Sequence, residues 1–353
     1  MPWREALEPE PDKMKTMQYS DAVDDVLTRA MEQDPTIMLM GEDLPAFRLP
    51  LFTRFGPDRV LAAPISEGAF VGAATAAAMA GLRPVVELWM VDFVTVALDA
   101  LVNHAAKVSV FSGGRWKVPM VLRAPCGGGY GDGGQHEQSL WGWLAHIPGL
   151  SVVVPSIPSD AGGLMLAALQ QDGPVAFLEP KLLSQRHLEY LCTGGRTRLS
   201  LDIPASGAAG PIPRTWRPIP LGSATVRREG GDITLISLGL GVHHCLQAAD
   251  RLQGAGISAA VVDLRTLSPL DEATILSSVA RTGRMLVVDE DYQRFGLSGE
   301  LAAVVLEAGL RVSYSRVCTQ DTIPFARSLE KEVLPNPERI VAAAMDLLQG
   351  ADG

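Results

Sequence analysis

Two short stretches of the chain carry the residue types that acid–base chemistry needs. The first is Pro64-Ile65-Ser66-Glu67-Gly68, where a single carboxyl precedes the small-residue run GAFVGAATAAAMAG. That run offers Glu67 almost no polar partner. Two readings are open. An acid in the first turn of a helix is favoured by the helix dipole. Alternatively, a semi-buried carboxyl, its pKa set by burial, is held ready to hydrogen-bond a ligand heteroatom. The second stretch is APCGGGYGDGGQHEQS, Ala124–Ser139, in which six glycines precede His136. Glycine density lets a backbone turn tightly and approach a ligand closely. A histidine in such a loop, flanked by Gln135, Glu137 and Gln138, is an acid/base candidate. A mobile surface loop with an incidental histidine is the alternative.

Three further groups attract less chemistry. Gly131-Asp132-Gly133 spells the opening of a magnesium-diphosphate motif, which needs an asparagine one supersecondary unit later. The chain has only Asn103 and Asn336, and neither is placed to complete it. His243-His244-Cys245 is a poor metal site, because neighbours on a helix point about 100° apart. Glu290 and Asp291 close the apolar run MLVVDED and read as structural, either a subunit contact or a cap.

The elements that must position these residues alternate. A helix is expected after Ser20, the predicted N-cap. Strands are predicted at Thr36–Met40, Val60–Ala62, Pro84–Leu88, Pro119–Arg123, Ser151–Val154 and Val175–Leu178. Between them fall helices at Gly68–Ala80, Phe93–Phe111 and Asp160–Leu169. This is the pattern of a doubly wound parallel α/β sheet. Ligands of such sheets bind at the carboxyl ends of strands, where both Glu67 and the His136 loop fall. Periodicity fades after residue 180, and the Pro/Gly-rich stretch IPASGAAGPIPRTWRPIPLG reads as a linker. A second α/β alternation then runs from Asp232–Ser237 to a last helix at Pro337–Leu348. The expected organisation is a tail over 1–16, a first domain over 17–205, a linker over 206–222 and a second domain over 223–353.

Composition narrows the class. The chain has 353 residues, 47% of them hydrophobic and 20% charged, with a formal net charge of −10. That excludes a disordered chain. The acidic balance argues against a nucleic-acid or anionic-membrane partner, since phosphate binding needs clustered Lys and Arg. A mean hydropathy of +0.16 raises the prospect of a large subunit interface. The four cysteines are scattered with no CxxC pair, so neither a disulfide framework nor a zinc site is indicated. The N-terminal residues lack a signal-peptide core, and the apolar run Leu88–Val110 carries Asp92, Asp99, His104 and Lys107. A cytoplasmic protein is expected.

In order along the chain, GED at Gly41–Asp43, FGPDRV at Phe55–Val60, PISEGAFVGAATAAAMAGLRPVVEL, QHEQS, HIPGLSVVVPS at His146–Ser156, VVDLRTLSPLD at Val261–Asp271 and TGRMLVVDE at Thr282–Glu290 resemble one family. It is the β subunit of the thiamine-dependent dehydrogenase component of 2-oxoacid dehydrogenase complexes, of pyruvate, branched-chain and acetoin types. The resemblance runs from about Met17 to Leu348. It implies a transketolase-like pyrimidine-binding domain followed by a transketolase C-terminal domain. It implies thiamine diphosphate shared with an α subunit in an α2β2 tetramer, with Mg2+ and the diphosphate held mainly by that partner. A lipoyl acyltransferase core and a small 2-oxoacid or acetoin complete the implied partners.

The resemblance also implies roles. Glu67 matches the glutamate at the aminopyrimidine ring nitrogen, where a carboxyl favours the tautomer whose imine takes the proton from the reactive carbon. Phe93 matches the aromatic residue that packs on the pyrimidine, with Ile65 and Trp89 as further cofactor contacts. His136 matches the loop histidine near the reacting carbonyl, which assists acyl transfer to lipoyl. Two other readings stay open: a non-lipoyl thiamine reaction on the same scaffold, transketolase-like or acyloin-forming, and a non-catalytic assembly subunit.

Four departures from the family pattern stand out. HSQS is common where this chain has His136-Glu137-Gln138-Ser139, and the added carboxylate is expected to raise the histidine's pKa or change the acceptor. Leu44–Arg54 lacks the usual glycine-rich pattern. Trp89 stands where smaller or polar residues are usual, and His104 where another polar residue is commoner. A monovalent-cation site, seen in some relatives, would rest on backbone carbonyls near Met120–Leu122 and Gln171–Gly173.

Overall fold

Apolar strand segments alternating with helices build one sheet from the first half of the chain. The computed structural model describes residues 4–7, 16–192 and 201–349. Most of the expected tail and the side chain of Cys192 lie outside the described residues. The strands are β1 (Thr16–Gln18), β2 (Ile37–Glu42), β3 (Val60–Ala63), β4 (Arg83–Glu87), β5 (Val121–Cys126), β6 (Ser151–Val153) and β7 (Val175–Pro180). After them come β8 (Ala209–Pro211), β9 (Thr225–Arg228), β10 (Ile233–Ser237), β11 (Ala259–Asp263), β12 (Thr266–Ser268), β13 (Arg284–Tyr292) and β14 (Ser313–Thr319). The first sheet has the order β12-β6-β7-β5-β4-β2-β3, parallel except for β12. The second has the order β14-β13-β10-β11-β9, parallel except for β9. The doubly wound α/β class read from the sequence is therefore present, twice.

Several local expectations need correction. Ser20 does not cap the first helix, which spans Tyr19–Gln33; its hydroxyl is buried and hydrogen-bonds Ser184 Oγ at 2.7 Å. The long helix expected over Phe93–Phe111 is broken. It is a 3₁₀ segment over Val91–Ala97, a π-helical turn over Asp99–Ala105 and one α turn at Val108–Phe111. β-branched residues crowd its start, and helix Glu67–Met79 packs along it. Among the described residues no single helix is long and apolar enough to cross a membrane; two segments here pass such a test only together, across a 65° bend.

The stretch read as a linker is packed down. Trp216 is fully buried, and its Nε1 donates to Asp25 Oδ2 at 2.8 Å. A Cβ on Gly162 would sit 2.4 Å from that indole, so the helix Pro158–Ala168 needs glycine there. β8 pairs antiparallel with β1, and Leu7 of the expected tail is buried beside Trp216. β12, contributed by the second half of the chain, extends the first sheet. The two halves are therefore interlocked rather than joined by a free tether.

Candidate active site

Strand register explains why two acids meet. β2 and β3 run parallel with Gly41 opposite Ala62 and Glu42 opposite Ala63. Four residues past Ala63 the chain enters helix Glu67–Met79, so the carboxyls of Glu42 and Glu67 come together at the strands' carboxyl edge. Glu67 is 7% exposed and Glu42 9%. Burial, and then the charge of Glu67, push the pKa of Glu42 upward. No cation is paired with Glu67 among the described residues. Gly41 is required because a Cβ there would lie 2.5 Å from the carbonyl oxygen of Glu87 on β4.

Around this pair the expected residues fall into two groups. Phe93 is half-buried in the 3₁₀ segment packed against helix Glu67–Met79 and meets the His136 ring edge-on, with centroids 5.8 Å apart. Ile65 projects from the strand exit, 81% exposed. Trp89 is engaged elsewhere, against Phe47 at 3.9 Å between centroids and edge-on to His187 at 5.3 Å. Phe47 arrives there because Leu44–Arg54 folds into two short helices in place of a glycine-rich loop.

The His136 loop is fastened at many points. Its base closes through Gly127 N donating to Gln138 O at 2.9 Å. The His136 carbonyl accepts from buried Lys181 Nζ at 2.7 Å and from the Tyr130 hydroxyl. Gln138 donates to Asp92 Oδ1 through both its backbone and its side chain. The imidazole is 34% exposed, and its Nδ1 lies 4.0 Å from Asp132. Glu137 does not act on this ring as expected. Its carboxyl is turned inward, where it accepts the backbone N–H groups of Tyr130, Gly131 and Gly133.

The second domain reaches into the loop. Glu290 Oε1 accepts from Gly128 N at 2.6 Å, and burial pushes Glu290 up to about 7. Asp289 accepts from Trp141 Nε1 and Asp291 from Gly142 N, so the acidic end of β13 clamps the start of helix Trp141–Ala145. Burial, and then the Asp291 charge, raise Asp289 to about 8. These acids hold domains together within one chain, as their structural reading anticipated.

Sequence reasoning missed Glu42, which carried no role within GED, and it missed a buried ionic row. Glu87, Arg123 and Glu179 lie on adjacent strands and pair with Arg48 and Asp24. Against its burial, Arg48, Arg123 and Arg186 hold Asp24 down at about 2. Charges inside otherwise apolar strands were the available signal. Of the carbonyls expected to cradle a monovalent cation, Gln171 O accepts from Arg83 Nη1 at 3.1 Å, Met120 O from Val175 N at 2.9 Å and Asp172 O from Val118 N at 3.0 Å.

A buried carboxyl unpaired with a cation among the described residues has the chemistry to meet a neutral ring nitrogen, with half-buried Phe93 on the neighbouring 3₁₀ segment and exposed Ile65 at the same strand exit as the nearby apolar side chains. Asn103 donates to Asp99, and Asn336 caps the last helix, so both asparagines are engaged away from Gly131-Asp132-Gly133.

The transketolase pyrimidine-binding domain family matches residues 15–186, and the transketolase C-terminal domain family matches residues 222–340. A solved "split gene transketolase, inactive beta4 tetramer" shares the fold, with TM-score 0.73, 22% identity, and coverage of 94% of this chain and 98% of that one. The chain belongs to the transketolase-like family of thiamine-dependent enzymes. Within it, this is a member of the β-subunit family of 2-oxoacid and acetoin dehydrogenases. It is 37% identical to the 2-oxoisovalerate dehydrogenase subunit beta of Bacillus subtilis, over 95% of this chain and all of the relative. It is 36% identical to the acetoin:2,6-dichlorophenolindophenol oxidoreductase subunit beta of the same organism, covering 95% of this chain and 98% of that one. It is 38% identical to the mitochondrial pyruvate dehydrogenase E1 component subunit beta-2 of rice, covering 94% and 86%. Membership as a β subunit implies an α partner.

Proposed function

We propose that this chain forms, with its α subunit, an enzyme that cleaves the bond beside the carbonyl of a small 2-oxoacid or acetoin and passes the acyl group to a lipoyl arm. Thiamine diphosphate, when bound between the subunits, supplies the carbanion chemistry. Glu67 hydrogen-bonds the aminopyrimidine nitrogen and holds or releases the proton there; Glu42 shares that proton and keeps it from leaving to water. Phe93 and Ile65 pack against the ring. His136 moves a proton near the reacting carbonyl during acyl transfer. The diphosphate and Mg2+ belong to the α side.

The observation that carries this reading is the Glu42–Glu67 pair, buried at a strand exit and not paired with a cation. A structural acid at a helix N-terminus would be satisfied by exposed backbone N–H groups and would not need a second carboxyl beside it. The test is Glu67→Gln, co-purified with the α subunit. Turnover is measured with pyruvate, 2-oxoisovalerate and acetoin, with and without a lipoyl domain, and thiamine diphosphate affinity by calorimetry. Assembly should persist while turnover falls about 10³-fold. Wild-type turnover by that variant overturns the assignment.

A further inference from the structure

The loop that carries His136 is wound around a carboxyl, and that carboxyl faces a second one from the far end of the chain. Glu137 Oε1 accepts from Tyr130 N and Gly131 N, each at 2.9 Å, and its Oε2 accepts from Gly133 N at 3.2 Å. Glu330, on helix Arg327–Val333 of the second domain, accepts from the same Gly131 N at 3.0 Å. Both residues are buried, and their carboxyls converge on the one Gly131 N–H. Two carboxylates cannot both be ionised there without strong repulsion in a medium that screens poorly. The backbone leaves no freedom to separate them locally. Gly131 has φ +82°, and a Cβ on it would meet Arg327 at 3.1 Å; Gly133 has φ +71° and lies against Phe325.

We propose that Glu137 and Glu330 share one proton, and that this proton fastens the His136 loop to the C-terminal domain. Its loss at alkaline pH loosens the loop and misplaces His136. The pair are positioning residues. They reach His136 through its own backbone, because Tyr130, whose N–H lies on Glu137, also donates its hydroxyl to the His136 carbonyl.

Burial, and then the hydrogen bond to Glu330, push Glu137 up to about 8, so the proton is present at neutral pH. The other charged groups facing the pair are Arg327, which is ion-paired with Glu330, Lys331 beside it, Lys181 beneath the loop, Glu290 at the end of β13 and Asp132 on the loop itself. Arg327 pairs with Glu330 and not with Glu137, and it is Glu137 that burial raises, so Glu137 is the end of the pair that keeps the proton. The catalytic consequence rests on the role proposed for His136; the shared proton does not.

The test compares wild type, Glu137→Gln and Glu330→Gln, each assembled with the α subunit. Each amide cannot lose a proton, but its nitrogen donates and does not accept, so each variant forfeits one accepting contact and is compared with itself across pH. Hydrogen exchange at the Tyr130, Gly131 and Gly133 amides is followed at pH 7 and pH 9 and corrected for intrinsic base catalysis. From pH 7 to pH 9 the wild type should gain about tenfold in corrected exchange, one pH unit past the transition, while neither variant changes. Equal pH dependence in all three overturns the shared proton. Turnover is read across the same range: wild-type kcat should fall above about pH 8 while both variants hold theirs. An exchange effect without that difference in kcat leaves the fastening in place and removes His136 from the rate-determining chemistry.

Discussion

Two of the buried carboxyl pairs are satisfied to very different degrees. Glu137 and Glu330 take four backbone N–H bonds and an arginine between them, and they join the two domains. Glu42 and Glu67 lie within one domain at neighbouring strand exits. Among the described residues Glu42 Oε1 takes no backbone N–H and no arginine, and its neighbour is the Glu67 carboxyl. A buried acceptor without a donor is costly, so it persists where a ligand or a reaction supplies the donor. A saturated pair does the opposite work and fixes a conformation.

Substitution should separate the pairs most sharply at Glu67. Glu67→Gln is expected to lose about 10³-fold in turnover, while Glu137→Gln at pH 7 stays within about twofold of wild type. Comparable losses in steady-state assays of both variants would erase the distinction. His136→Ala should come next, slowing acyl transfer to a lipoyl domain about 10²-fold with thiamine diphosphate affinity kept. Lost cofactor affinity in calorimetry would make His136 a binding residue instead. Glu42→Gln should cost about tenfold in turnover, less than Glu67→Gln, because it alters the neighbour's contact and leaves Glu67 itself in place. A rate unchanged from wild type would detach Glu42 from the site.

The smallest effect belongs to Glu290. Burial raises its folded pKa to about 7, above the ordinary range of a glutamate. A raised carboxyl stabilises the fold fully below its unfolded value and loses that contribution as pH rises through the folded value. Thermal melts should therefore show Glu290→Gln gaining on wild type between pH 5 and pH 8. A constant difference across that range would place the proton elsewhere.

Legibility in the sequence followed locality. Glu67 could be read because a lone acid before a run of alanines and glycines is conspicuous, and the turn that exposes it is set by its neighbours. His136 could be read because glycine density announces its loop. Glu42 was visible only as part of GED, since its meaning comes from lying opposite Ala63 across the sheet. Glu137 was noticed and misdirected: adjacency suggested an effect on the imidazole, whereas the loop folds its carboxyl inward. Helix Phe93–Phe111 was drawn as continuous because its apolar content is; contact with helix Glu67–Met79 decided otherwise.

The alternation of elements, the two domains' class and the placement of an acid at a strand's carboxyl end were written in the sequence, because each depends on residues close along the chain. The pairing of Glu137 with Glu330, the burial of Trp216 on Asp25 and the passage of β12 into the first sheet belong to tertiary structure alone. Each joins residues more than a hundred positions apart, and periodicity carries no information about which distant surfaces close on one another.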